Sequence, residues 1–170
     1  MVGLPASGKS TRVDEMSRMI PDAYVYSTDG ILERIAEQLG KTYNDVFEKH
    51  IKSAQTEADI WLAEAMKNKL DIIWDQTNLG VKKRRSIINR MRQAGYAVDC
   101  ECILFPQGDI QQEDWQHRLS NRPGKTIPPK IVESMMDSFV KPTIEEGFGM
   151  VTYYDIYGNI VDQEGVINNE

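Results

Sequence analysis

The stretch GLPASGKS at positions 3–10, followed by Thr11, decides the fold, because it fills every fixed position of the pattern G-x-x-x-x-G-K-[ST]. In a loop of this kind backbone N–H groups converge on the phosphates of a nucleoside triphosphate. The lysine reaches the outer two phosphates and the serine hydroxyl is placed to bind Mg²⁺. Gly3, Ser7, Gly8, Lys9, Ser10 and Thr11 are therefore the candidate ATP-binding residues, with Lys9 also a candidate for catalysis and Ser10 for the metal. A helix beginning at Gly8 or Lys9 adds the positive end of its dipole to the same spot. Such a loop ordinarily follows a buried strand, yet only Met1 and Val2 precede Gly3. The expectation is a first strand that is truncated, or whose position is filled in an unusual way.

Outward from the loop, helical and strand patterns alternate. A helix is expected over 9–20, stopped by Pro21, then a short strand AYVYS at 23–27 and a helix over 30–39 closed by Gly40. A long helix over 43–69 keeps Val46, Ile51, Ala54, Ala58, Leu62 and Met66 at helical spacing. An apolar strand at 71–74 delivers Asp75, Gln76, Thr77 and Asn78 to its carboxyl end. A helix over 81–94, a strand over 96–105 and a helix over 113–121 follow. The Pro- and Gly-rich loop RPGKTIPP at 122–129 has the character of a mobile lid over a bound nucleotide. A helix over 131–139 and a hairpin-like tail about Tyr157, Gly158 and Asn159 complete the chain. This order predicts an α/β fold with a mostly parallel sheet flanked by helices.

The chain has 170 residues, a length that fits one domain spanning 1–170. No apolar run approaches a membrane span and no signal pattern opens the sequence, so the cytoplasm is the expected compartment. The formal charge of −6 argues against a protein that coats nucleic acid through a broad basic surface. Locally the balance reverses: between positions 76 and 98 there is no acid, while Lys82, Lys83, Arg84, Arg85, Arg90 and Arg92 all occur. Arg118, Arg122, Lys125 and Lys130 form a second basic group. An acidic body with two basic patches suits an enzyme that grips a few phosphates. Cys100 and Cys102 alternate along a strand and are expected on one face as plain thiols. His50 and His117 show no metal spacing.

Phosphoryl transfer to an alcohol needs a carboxylate near the phosphate loop to take the hydroxyl proton. Asp29, at the carboxyl end of the second strand, is the candidate base, and the alternative reading makes it the N-cap of the following helix. Asp75, at the end of the 71–74 strand, is the candidate acidic partner of Mg²⁺, or else a turn-forming aspartate. Arg118 and Arg122, four residues apart and expected on one helix face, would bring permanent positive charge to the transferring phosphoryl group.

Together, GLPASGKST, Asp29, DQTNL at 75–79, and the ending in which Pro129, Met135, Pro142 and Phe148 occupy a P-x-x-x-x-x-M and P-x-x-E-E-G-F pattern resemble the phosphate-loop polynucleotide 5′-hydroxyl kinases, above all the kinase half of their T-even phage members. The resemblance runs over about 3–148. It implies a P-loop kinase fold and a tunnel-like site, with ATP and Mg²⁺ as cofactors. ATP phosphates would be held by Lys9, Ser10 and Arg122, and a 5′-hydroxyl end of DNA or RNA would enter toward Asp29, as in nucleic-acid repair. It also implies acceptor contacts at Thr77 and Asn78, with Arg84 and Arg85 meeting substrate phosphates. The chain departs from the family beside Asp29: its neighbours are Thr28 and Gly30, and the nearest later arginine is Arg34. Two other readings stay open, a small-molecule kinase acting on a nucleoside-like or sugar hydroxyl, and a nucleotide-binding protein without catalysis. A GTPase is disfavoured by the absence of N-K-x-D. A homo-oligomer is compatible with this sequence.

Overall fold

The computed structural model describes residues 1–165; the last five residues of the expected domain, 166–170, lie outside the described residues. In chain order the elements are α1 (Lys9–Met19), β1 (Tyr24–Tyr26), α2 (Thr28–Leu39), α3 (Tyr43–Lys67), β2 (Ile72–Trp74), α4 (Val81–Gln93), β3 (Cys100–Ile103), α5 (Gly108–Ser120), α6 (Pro129–Asp137), a 3₁₀ turn (Ile144–Glu146), β4 (Met150–Tyr154) and β5 (Ile160–Gly165). β1 pairs with β2 in parallel, and β3 pairs in parallel with β4, which pairs antiparallel with β5. The expected hairpin tail is this β4–β5 pair.

Residues 1–3 join the two groups of strands. Val2 N donates to Glu101 O at 2.8 Å, Ile103 N donates to Val2 O at 2.9 Å, and Val2 pairs in parallel with Cys102. On the other side Met1 N donates to Trp74 O at 3.0 Å and Gly3 N to Thr77 O at 3.1 Å. The strand position before the phosphate loop is thus filled by three residues lying between β2 and β3. The spatial order becomes β1, β2, residues 1–3, β3, β4, β5, an α/β sheet whose pairings are parallel except at β5.

Alternation along the strands divides the core between two faces. Val2, Cys100, Cys102, Val151 and Tyr153 pack with Ile88 of α4 and with Phe148. Leu4, Ile103, Tyr154 and Ile156 pack with Trp115 of α5 and Val132 of α6. α3 lays Ala58 and Leu62 against Tyr26, and its start pairs with α2 through Leu32, Ala36, Val46 and Ala54. The two cysteines share one buried cluster, and burial pushes their thiols up to about 11 and about 12, which keeps them protonated and unreactive. No helix among the described residues is long and apolar enough to cross a membrane.

Boundaries moved where end chemistry outweighed periodicity. The expected strand over 96–105 shrinks to Cys100–Ile103, because Gly95 turns left-handed and Tyr96 N donates back to Met91 O at 3.0 Å. Tyr96 Oη then donates to Leu70 O, tying the segment to the end of α3. α5 begins five residues earlier than expected, and α6 begins at Pro129, a residue suited to the first turn of a helix.

Candidate active site

A cleft of about 1470 Å³ opens at the carboxyl ends of the parallel strands, where an open α/β sheet gathers its ligands. The phosphate loop forms its floor. Gly8 sits at φ 110° and Ala6 at φ 59°, so the chain turns sharply into α1. A Cβ on Gly3 would stand 2.9 Å from Ser7 Oγ and 3.2 Å from Ile103 O, closer than a side chain tolerates. α1 has no side-chain cap and no acid in its first turn, which leaves its positive end uncompensated at the cleft. Ser7 Oγ is buried without a hydrogen-bond partner, while Ser10 and Thr11 are exposed on the cleft wall.

Lys9 is half-buried and its Nζ donates to Leu4 O at 2.7 Å, folding the ammonium back onto its own loop. Burial lowers its pKa, Asp75 and Asp29 oppose that, Arg122 and Lys125 reinforce it, and the result is about 8. Phosphates placed beside Lys9 would raise its pKa again, so binding of ATP there above pH 8 would take up a proton. Calorimetry in buffers of different ionisation enthalpy should show uptake approaching one proton at pH 9 and little at pH 7, with affinity weakening by up to about tenfold per pH unit above 8. Equal enthalpies in all buffers at pH 9 would remove Lys9 from the phosphates.

Asp29 stands across the cleft. The N-cap of α2 is Ser27, whose Oγ accepts from Gly30 N at 3.1 Å, so the capping alternative for Asp29 is displaced and its carboxylate is available to the cleft. Tyr43 Oη donates to Asp29 Oδ1 at 2.8 Å, and Lys125 Nζ donates to Oδ2 at 2.6 Å. Partial burial pushes this carboxyl up. The Lys125 charge, the two hydrogen bonds and Arg122 outweigh that and hold Asp29 below the usual carboxylate range. Burial and the Asp29 charge raise the Tyr43 phenol, which keeps it a donor at neutral pH.

The β2 end supplies the third side. Asp75 lines the cleft and its Oδ2 accepts from Ser27 Oγ at 3.3 Å, linking the ends of β1 and β2. Thr77 lines the cleft as well. Asn78 is buried at φ 48°, and its amide turns inward: Nδ2 donates to Met1 O at 2.9 Å and Oδ1 lacks a partner. Asn78 therefore ties the DQTNL segment to residues 1–3.

The expected arginine contacts need correction. Arg84 does not reach the cleft: it is 2% exposed, and its guanidinium forks onto Glu146 through Nε at 2.7 Å and Nη2 at 2.6 Å. Its Nη1 donates to Leu79 O and Asn78 O, so four of its five N–H donors are used inside the protein. Arg85 is exposed and lies outside the cleft, where α4 contributes Lys83 instead. Arg118 and Arg122 both line the cleft but do not share a helix face. α5 ends at Ser120, with Asn121 N and Nδ2 both donating to His117 O, and Pro123 follows Arg122 in the loop. Arg118 Nη1 donates to Ile156 O at 2.7 Å beneath the Tyr157 ring, building the wall on the hairpin side. The sequence did not single out Tyr43 or Glu33, and Lys83 and Lys125 were visible only as members of the two basic groups.

The comparisons with known proteins bear on the family and the fold. The AAA domain family matches residues 1–142. No curated protein shows significant similarity to the chain. A solved structure from the PezAT chromosomal toxin-antitoxin system of Streptococcus pneumoniae is similar at 14% identity, covering 95% of this chain and 68% of that one with a TM-score of 0.56. At that identity the likeness bears on the fold, a phosphate-loop kinase-like α/β arrangement.

Proposed function

We propose that this chain, which belongs to the AAA domain family, is an ATP-dependent kinase that transfers the γ-phosphate to a hydroxyl acceptor, with Asp29 as general base. The single observation that carries the reading is a carboxylate held charged across one cleft from a complete phosphate loop. In the reaction the acceptor oxygen bonds to the γ-phosphorus as its proton passes to Asp29. The bond from that phosphorus to the bridging oxygen breaks, and ADP leaves. Arg122 supplies positive charge to the equatorial oxygens and Lys9 to the outer phosphates. Arg118, Ile156 and Tyr157 form the wall assigned to the base of ATP. Ser10 and Asp75 are the residues that would hold Mg²⁺, and among the described residues no cluster of three His, Cys, Asp or Glu makes a protein-only metal site. Two oxygen donors suit an ion that completes its shell with phosphate oxygens and water. Bound there, Mg²⁺ neutralises charge on the phosphates.

For the acceptor, the charge of the cleft favours a small hydroxyl compound. Its lining has six basic residues, Lys9, Arg12, Lys83, Arg118, Arg122 and Lys125, against six acidic ones, Asp14, Glu15, Asp29, Glu33, Glu48 and Asp75. With Arg84 and Arg85 outside it, little positive charge remains for a polyanion once the ATP phosphates are met. The 5′-hydroxyl end of DNA or RNA is the second reading, supported by Thr77 and Lys83 in the lining of the same cleft as Asp29. Transfer of labelled γ-phosphate to a panel of nucleosides and sugars, beside a 5′-hydroxyl oligonucleotide, separates them. Small-acceptor labelling that is indifferent to salt from 50 to 200 mM, roughly the range over which phosphate contacts are screened, supports the first. Oligonucleotide labelling that falls steeply over that range supports the second, and no labelling of any acceptor with ATP bound would sink both.

A further inference from the structure

The loop over 121–128 carries its own anchor. Lys125 is 8% exposed although its neighbours Gly124 and Thr126 are exposed. An ammonium withdrawn from water needs anions or an aromatic face around it. Lys125 Nζ has both: Asp29 Oδ2 at 2.6 Å, Glu33 Oε1 at 3.0 Å, and the Tyr43 ring centroid at 4.0 Å. The main chain follows the side chain. Asn44 N donates to Gly124 O and Asn44 Nδ2 to Thr126 O, each at 3.2 Å. Gly124, at φ 64°, lies so near Thr42 that an added Cβ would come within 3.1 Å of the Thr42 Cβ. The same loop carries Arg122 into the cleft.

We propose that Lys125 is a positioning residue that latches the 121–128 loop onto the start of α3 and, through the same bonds, orients the Asp29 carboxylate for the acceptor hydroxyl. Loop closure and readiness of the base are then coupled, because the residue that bonds Asp29 sits between the two whose carbonyls accept from Asn44. The second half of the proposal rests on Asp29 being the base; the latch itself does not. The charged and titratable groups facing Asp29 are Glu33 from α2, Tyr43 from α3, Arg122 and Lys125 from the loop, and Lys9 from the phosphate loop.

The test uses Lys125→Met, Lys125→Arg and Glu33→Gln in the full chain. Amide exchange at Asn44, whose partner is a loop carbonyl, reads the latch without reference to activity. Lys125→Met should speed it by about tenfold, Glu33→Gln should speed it less, and Lys125→Arg should restore it. In the pH profile of kcat/KM, Lys125→Met should move the acidic limb up by about one pH unit, since a positive neighbour of the base is lost. Glu33→Gln should move that limb down or leave it, because a negative neighbour is lost. Unchanged Asn44 exchange in both Lys125→Met and Glu33→Gln overturns the latch, and Glu33→Gln decides it alone if Lys125→Met fails to fold. Faster exchange with an unmoved acidic limb overturns the positioning of Asp29. If Asp29→Asn keeps its activity, the base assignment fails while the exchange result still reports on the latch.

Discussion

Asp29→Asn should lower phosphoryl transfer by about 10²–10⁴-fold while leaving ATP affinity within about threefold, because a positioned general base contributes to the transition state and not to holding the nucleotide. The substitution preserves shape, so an Asn oxygen can still accept from Tyr43 Oη at the Oδ1 position. What it removes is the charge and the proton-accepting oxygen at the Oδ2 position, where Lys125 now sits at 2.6 Å. Lys125 keeps Glu33 as a partner, and Asp29 is half exposed, so thermal unfolding should shift little. Isothermal titration with ATP, beside steady-state transfer to whichever acceptor the panel identifies, separates the two effects. A variant retaining more than about a tenth of wild-type transfer would move the base role elsewhere. The obvious next candidate would be Asp75, which lies across the same cleft.

The phosphate loop and the alternation of strand and helix were legible because each is local, whereas Asp29, expected at the end of a strand, lies in the first turn of α2, which starts two residues earlier than expected. A glycine spacing and a periodicity are properties of consecutive residues. What holds the site was not legible, because it depends on pairs far apart in the chain. Lys125 meets Asp29 across 96 positions, and nothing in RPGKT distinguishes a latch from a solvated lysine. The filling of the first strand position by residues 1–3 rests on bonds to Trp74, Thr77 and Glu101, again remote. Position 43 entered the sequence reading only as the start of a long helix, while the Tyr43 phenol donates to Asp29 on α2.

Arg84 is the instructive exception, since the signal that would have placed it was present. Arg84, Ile88 and Met91 recur at i, i+4 and i+7 on α4, the spacing of an inward stripe, and all three are buried. An arginine on such a stripe must find an anion inside, and Glu146 is that anion. The expected result of Arg84→Met is therefore a stability loss of about 3–5 kcal/mol, the scale for breaking a buried pair and stranding its partner. Glu146→Leu alone should cost a similar amount, because it strands the guanidinium. The pair Arg84→Met with Glu146→Leu should recover most of either loss, since two apolar groups of matching volume leave no buried charge. Full recovery is not expected: Arg84 also donates to Leu79 O and Asn78 O, and those carbonyls belong to the segment that lines the cleft. The double variant should accordingly be folded and stable yet show a raised KM for the acceptor with less change in kcat. Urea unfolding of the three variants measures the coupling directly. A single variant that loses less than about 1 kcal/mol while its acceptor KM rises sharply would return Arg84 to the substrate, since a solvent-facing arginine costs little when removed.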